Sequence, residues 1–343
     1  MIVVCGIASE LPVAMVLAQL GRLGLPHVVL HQRRFADTPL DLETAGTGVR
    51  GNVRVDWRRV DCADVTGLYT RVTDWRVLPE MRDANEAVVE RCQAWHRTLS
   101  DWIEIAPGCV MNRAIASASN RSKPYQTQLI ARAGFSVPET LVTDDPDLVH
   151  DFRARHGRLI YKSISATRSI VRLLDDAALD RLPLIADCPV QFQRYVPGVN
   201  VRVHVVAGDV FAGRIETNRV DYRYAHTDGG QAQLTAWRPP DNLAERCVSL
   251  TARLGLSLAG IDLLLADDGQ TYCLEVNTSP AFSYFEYHTG QPIARAIARG
   301  LARGEDSPAS PATESTADSA LPPRDAGSPP PALRGGEPLR SQH

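Results

Sequence analysis

The stretch that most constrains this chain is AGIDLLL (residues 259–265), followed after Asp267-Asp268-Gly269-Gln270 by TYCLEVNTSPAF (residues 271–282). An Asp-Gly pair between two apolar runs is the strongest short-range hairpin signal. With Asp268-Gly269 as a two-residue turn, Asp267 pairs with Gln270. Asp262 then lies across from Glu275, and Gly260 across from Asn277. Side chains alternate along a strand, so Asp262, Glu275 and Asn277 share one face, while Ile261, Leu263, Leu274 and Val276 take the other. Two carboxylates directly opposite on a sheet repel each other, and such an arrangement persists when a cation sits between them. Two carboxylates and an amide carbonyl form a hard, all-oxygen set that suits Mg²⁺ carrying nucleotide phosphates better than zinc. On the hairpin alone, a solvent-facing strand with hydrated acids is the plainer reading. The polar continuation Asn277-Thr278-Ser279-Pro280, where a strand should meet a loop, favours a site.

At 343 residues the chain has length for one to three domains and a sizeable core. A formal charge of −3 gives no global reason to expect nucleic acid. The opening MIVVCGI carries no basic leader, so neither a secretory signal nor a membrane span is expected. The seven cysteines are scattered without a CxxC pair, which argues against zinc; scattered free thiols fit a reducing cytoplasm.

Residues 2–7 read as a buried strand, 12–23 as a helix with Ser9 as its cap, and 27–30 as a second strand. This β-α-β opening suggests a parallel sheet covered by helices, and its first turn lacks the GxGxxG of a dinucleotide site. Short extended segments follow near 51–56 and 67–72, then a helix over 84–103 and a strand at 109–111. Tyr69 and Arg71 are placed to reach a substrate, although such residues more often close a strand. A boundary is expected near 112–122, then a helix over 124–133 capped by Asn120 or Ser122. Lys123, at the start of that helix, opposes the helix dipole and is not placed for local stability; a solvated lysine is the plain alternative. Lys162 ends a strand (159–162) before a Ser/Thr-rich loop (163–170), a combination suited to cradling phosphate. Strands are expected at 190–196, 199–206 and 210–217. In the second, Asn200, Arg202 and His204 alternate with valines, as in a half-solvated strand. A two-residue loop at Gly208-Asp209 sets Arg202 opposite Ile215, and an odd-length loop sets it opposite Arg214. Helices close the fold at 243–254 and 292–301. From about residue 302 the chain is too rich in Pro, Ser, Gly and Ala to order itself.

Asp262 with Glu275-Val276-Asn277-Thr278-Ser279-Pro280, the segment NRSKPYQTQLIARAGFSVPETLVT (residues 120–143), VNVRVHVV (199–206) and VDYRY (220–224) together resemble the ATP-grasp ligases. The branch is that of RimK-like ligases and of the ligases that cyclise graspetide precursor peptides. The resemblance implies an α/β fold with α+β lobes. An N-terminal pre-ATP-grasp domain (1–113) precedes an ATP-grasp domain (114–301, lobes about 114–188 and 189–301), and a disordered tail (302–343) follows. It implies Mg²⁺, with Mn²⁺ as a substitute, on Asp262, Glu275 and Asn277, and ATP phosphates on Lys123 and Lys162. The adenine edge falls to Gln193, Arg194, Tyr195 and Val196, and phosphoryl or acyl-phosphate charge to Arg202 and Arg223, with His226 a weaker general-base candidate. The chain departs from the pattern in its glycine-free 163–169 loop and in Asn200, where the family has Asp. The implied reaction passes the γ-phosphate of ATP to a carboxylate, and an amine or hydroxyl then attacks the acyl phosphate, releasing phosphate and leaving ADP. The substrate is read first as a ribosomally made peptide, next as free amino acids or a small acceptor. A nucleotide-binding module without catalysis is the remaining possibility. A homo-oligomer fits the resemblance, and neither nucleic acid nor a membrane does.

Overall fold

A computed structural model of the protein describes residues 1–45, 48–163, 171–217 and 232–304. The Ser/Thr-rich loop beyond Ser163, the segment bearing Arg223 and His226, and the expected disordered tail beyond residue 304 lie outside the described residues.

The first elements are β1 (Ile2–Gly6), α1 (Leu11–Arg22) and β2 (His27–His31), followed by β3 (Leu40–Ala45), β4 (Gly48–Val55) and β5 (Arg58–Asp61). Then come β6 (Gly67–Arg71), α2 (Glu86–Ile105) and β7 (Cys109–Met111). Strands β2-β1-β6-β7 form one sheet, parallel throughout, as the β-α-β opening implies. Between β2 and β6 the chain inserts an antiparallel sheet, β3-β4-β5, of which the sequence reading found only the middle. Glu10 occupies the cap position of α1 without a side-chain bond, so Ser9 is not the cap.

The chain continues through α3 (Ala114–Ser117), α4 (Lys123–Arg132), β8 (Thr140–Thr143) and α5 (Pro146–His156), with Ser122 at the N-cap position of α4. Next are β9 (Leu159–Ser163), β10 (Arg172–Leu173), α6 (Asp176–Leu179) and β11 (Val190–Arg194); the four strands make an antiparallel sheet in the order β10-β9-β11-β8. Last come β12 (Gly198–Val206), β13 (Asp209–Thr217), β14 (Ala232–Trp237), α7 (Asp241–Arg253), β15 (Leu258–Ala266), β16 (Thr271–Asn277), α8 (Ser283–Thr289) and α9 (Ile293–Arg303). Their strands order as β14-β13-β12-β15-β16, antiparallel throughout.

Strand β12 is not half-solvated. It is the central strand, with Val201, Val203 and Val205 buried on one face and Arg202 and His204 buried on the other. The valines pack with Ile261, Leu263, Cys273 and Val276 beneath α7. On the opposite side Phe285 lies 5.0 Å from the His204 ring. Neither loop considered for β12–β13 is formed: the turn is Ala207-Gly208, with φ of +46° and +93°, and it sets Arg202 opposite Gly213. Positive φ at both central residues is what a two-residue turn needs to match strand twist.

Helix α9 closes the fold against the parallel sheet. Small residues on both sides allow close approach: a side chain on Gly67 of β6 would collide with the Leu301 carbonyl, and one on Gly300 of α9 with Met111. The core there joins Ile2, Val4, Val13 and Val16 to Ile293, Ile297 and Leu301. Among the described residues no helix is long and apolar enough to cross a membrane.

Candidate active site

The hairpin β15–β16 pairs Asp262 with Glu275 and Gly260 with Asn277, as the sequence predicts, through two offsetting irregularities. The turn has three residues, not two: Ala266 N–H donates to the Gln270 carbonyl, Leu265 pairs with Thr271, and Gly269 adopts φ +81°. A β-bulge between Asp262 and Leu263 on the β15 side then restores the expected register. The surplus residue is Leu274. It was assigned to the core face with Leu263 and Val276, but it packs on the other side with Val196, Leu264, Ala266 and Tyr272, and Cys273 takes the core place.

The polar face of this hairpin is built from interlocking pairs. Arg202 lies directly across from Asp262, with Nη1 2.8 Å from Oδ1 and a further hydrogen bond of 3.2 Å to the Gly260 carbonyl. Asn277 Nδ2 donates to Asp262 Oδ2 at 3.1 Å. From the start of α4, Lys123 Nζ donates to Glu275 Oε1. Lys123 is therefore not a solvated lysine. Burial raises the Glu275 carboxyl, but Lys123, Lys162 and Arg202 outweigh it and hold the group below the usual carboxylate range. Lys162, from β9 of a different sheet, thus shares the field of the same acid.

Two oxygen-bearing acids and one amide converge here, while among the described residues no group of three or more His, Cys, Asp and Glu is placed to hold a metal. Mg²⁺ binds through one or two carboxylates and fills its remaining positions with water and phosphate, so this donor set fits it. On the plainer reading of the hairpin these acids are hydrated on a solvent-facing strand. They are not: the side chains of Asp262 and Glu275 keep only 24% and 23% of their exposure, and those of Arg202 and Lys123 less.

The proposed adenine-reading residues cluster at the end of β11. Gln193 is buried and its Nε2 donates to Thr140 Oγ1 at 3.0 Å. Arg194 bridges Glu139 Oε2 (2.5 Å) and the Tyr272 hydroxyl (2.9 Å), and the Tyr195 ring lies under Arg158. The N–H groups of Arg194 and Tyr195 donate to the carbonyls of Glu139 and Arg158. Val196 forms the apolar cluster with Leu264 and Tyr272.

Tyr69 lies inside β6, fully buried, while Arg71, the last residue of that strand, holds Glu10 at 2.5 Å and donates to Ser279 Oγ (3.1 Å) and the Pro280 carbonyl (3.1 Å). It lines a cavity of about 740 Å³ together with Arg97, Arg121, Thr278 and Ser279, next in sequence to Asn277. Two supports were passed over in the sequence. Asn112 donates to the carbonyls of Leu258 and Thr278 and accepts from the N–H groups of Ser257 and Leu258. Gly260 leaves the room that Arg202 and Pro280 occupy. Neither carries a local signal, since both act on residues far off in the chain.

A model of the RimK-like ATP-grasp domain matches residues 118–301. The chain is similar to a probable alpha-L-glutamate ligase 2 of Pseudoalteromonas atlantica, 26% identical over 198 residues that cover 54% of this chain and 65% of the relative. It is also similar to that of Hahella chejuensis, 31% identical over 198 residues, 54% of this chain and 64% of the relative. The match thus spans slightly less than two thirds of these curated relatives. Among solved structures, the chain resembles the ATP-grasp ligase PsnB complexed with a phosphomimetic variant of minimal precursor, Mg and ADP. The TM-score is 0.73 at 27% identity, over 88% of this chain and 98% of that one. It shares its fold with the macrocyclase MdnC bound with precursor peptide MdnA from Microcystis aeruginosa MRC, with TM-score 0.72 at 20% identity over 88% of this chain and 100% of that one. The domain match takes in Lys123, the two later antiparallel sheets and the acidic hairpin together, and on it this chain belongs to the RimK-like ATP-grasp ligase family.

Proposed function

We propose that the protein is an ATP-dependent ligase that joins a carboxylate to an amine or hydroxyl through an acyl phosphate, and that its substrate is a ribosomally made peptide. The observation that carries the reading is the interlocked face of Lys123, Arg202, Asp262, Glu275 and Asn277 beside an arginine-lined cavity. In this reading Asp262, Glu275 and Asn277 hold Mg²⁺, which supplies charge neutralisation of ATP phosphates when bound. Lys123 and Lys162 hold phosphate oxygens, residues 193–196 border the base, and Arg202 stabilises charge on the transferring group, as does Arg223 from outside the described residues. The substrate carboxylate oxygen takes the γ-phosphoryl group and ADP leaves. The amine or hydroxyl then attacks the acyl carbon, loses its proton, and phosphate departs. Positioning and electrostatics do most of this work, without a protein nucleophile.

The domain reading goes with it: a pre-ATP-grasp unit over 1–113, ATP-grasp lobes over about 114–188 and 189–301, and a disordered tail over 302–343. Of the seven cysteines six are buried and all are free, which supports a reducing cytoplasm. The solved ligases named above carry precursor peptides, which favours a peptide substrate. The second reading, addition of an amino acid to an acceptor, is favoured by the names of the curated relatives. A homo-oligomer is part of the proposal; nucleic acid and membrane are not.

Mass spectrometry of candidate acceptors incubated with the protein and Mg·ATP tests both readings. A peptide that loses one water per new bond, with ADP formed, supports the first. An acceptor that gains an amino-acid residue supports the second. Formation of AMP and pyrophosphate would sink the acyl-phosphate chemistry.

A further inference from the structure

Strand β16 lies at the edge of its sheet, and the residue between the two proposed metal ligands on it, Val276, is not left to solvent. Gln126 of α4 pairs with it as a neighbouring strand would: Nε2 donates to the Val276 carbonyl at 2.8 Å, and Oε1 accepts from the Val276 N–H at 3.0 Å. Gln126 is 2% exposed, so these bonds form out of water, where an unmade partner is most costly. It lies three residues after Lys123, on the same helix face, so one turn of α4 grips both the backbone of Val276 and the carboxylate of Glu275. Ser136 extends the coverage, its carbonyl accepting from the Cys273 N–H at 2.9 Å.

The grip falls at a weak point. The bulge at Leu274 leaves an irregular ladder immediately before Glu275. A slip of one residue there would turn Glu275 toward the core and Val276 toward the site. Ladder bonds to β15 alone constrain one edge of the strand, and Gln126 constrains the other.

We propose that Gln126 is a positioning residue: its side-chain amide fixes the register of β16, so that Glu275 and Asn277 face Mg²⁺ together and Lys123 meets Glu275. This rests on the ligase reading above, for which these are the metal and phosphate groups.

The test uses the full chain with ADP and Mg²⁺ as probes, by titration calorimetry with Mg²⁺ or with excess EDTA. Wild type comes first: if Mg²⁺ does not tighten its binding of ADP, the ligase reading fails and this proposal with it. Gln126→Met keeps the volume and removes both bonds, and Gln126→Ala serves as a second variant. Each is expected to weaken Mg²⁺-dependent ADP binding by roughly 10- to 100-fold, the usual range for lost outer-shell support, with binding in EDTA unchanged. Unchanged Mg²⁺ dependence overturns the proposal. So does an equal loss with and without Mg²⁺, which marks a purely structural role. Hydrogen exchange on metal-free wild type adds a readout that needs no variant. The Val276 amide should exchange as slowly as β15 amides, and exchange at the rate of an open edge overturns the proposal.

Discussion

Arg202 and Asp262 face each other on adjacent strands, guanidinium to carboxylate at 2.8 Å, with both side chains largely withdrawn from water. Removing one partner of such a pair strands the other. We expect Asp262→Ala to lower stability by about 2–4 kcal/mol, and Asp262→Asn, which keeps a hydrogen-bond acceptor for Arg202, to lower it less. Both should depress ligase turnover by about 10²-fold or more, since charge on the transferring group loses its support. Urea unfolding beside turnover separates the effects. An Asp262→Asn protein with wild-type turnover would count against the metal assignment.

Gly260 has no room to spare. A Cβ there would lie 2.7 Å from Pro280 Cβ and 3.3 Å from Arg202 Cζ. Gly260→Ala should therefore push Arg202 off Asp262 and cost about 1–3 kcal/mol, the usual penalty of overpacking. Turnover should fall further than stability does, and the same two measurements decide it.

Asn112 uses its amide fully, with two bonds given and two received at the start of β15 and the end of β16. Asn112→Ala leaves buried backbone groups without partners, so we expect a loss of about 3 kcal/mol or more. Thermal unfolding would show it directly. A change under about 0.5 kcal/mol, the range of ordinary surface substitutions, would mean that water takes over these bonds.

His96 is buried on α2 with its ring 5.0 Å from that of Trp95. Burial lowers its pKa to about 4, against a small opposing pull from Asp74. The unfolded imidazole takes its proton near pH 6.5, so the unfolded state binds more protons between these values. The contribution of His96 is therefore complete above about pH 6.5 and declines as pH falls toward 4, by about 3 kcal/mol. His204, lowered mainly by burial as well, acts in the same direction. Urea unfolding at pH 7 and pH 4.5 should show the gap, and His96→Phe should narrow it. An unaltered gap in that variant would reassign the acid sensitivity to other groups.

Much of the fold was legible because its signals are local. Strand β7 was read at its observed bounds, and the β-α-β opening gave the parallel sheet. The expected pairing of Asp262 with Glu275 also appears, but the three-residue turn and the bulge cancel each other, so the right pairing came from a wrong turn. The misreading of β12 has another cause. Alternation of valine with Asn, Arg and His signals two chemically different faces, and water is not the only cover for the polar one: Phe285 and Asp262 cover it here. Lys123 sits oddly at a helix start, but its place alone allowed a solvated lysine, and the resemblance of residues 120–143 is what singled it out. Gln126, three positions on, is a neutral residue at home in a helix and carries no such clue; its partner is 150 residues away and no spacing rule reaches that far.

The bulge at Leu274 has one more consequence. A regular strand presents alternate residues to a given side, so two neighbours never serve the same surface. By spending one extra residue, β16 sets an apolar Leu274 and an anionic Glu275 side by side, giving a single strip of backbone both an oily and a charged texture within one residue step.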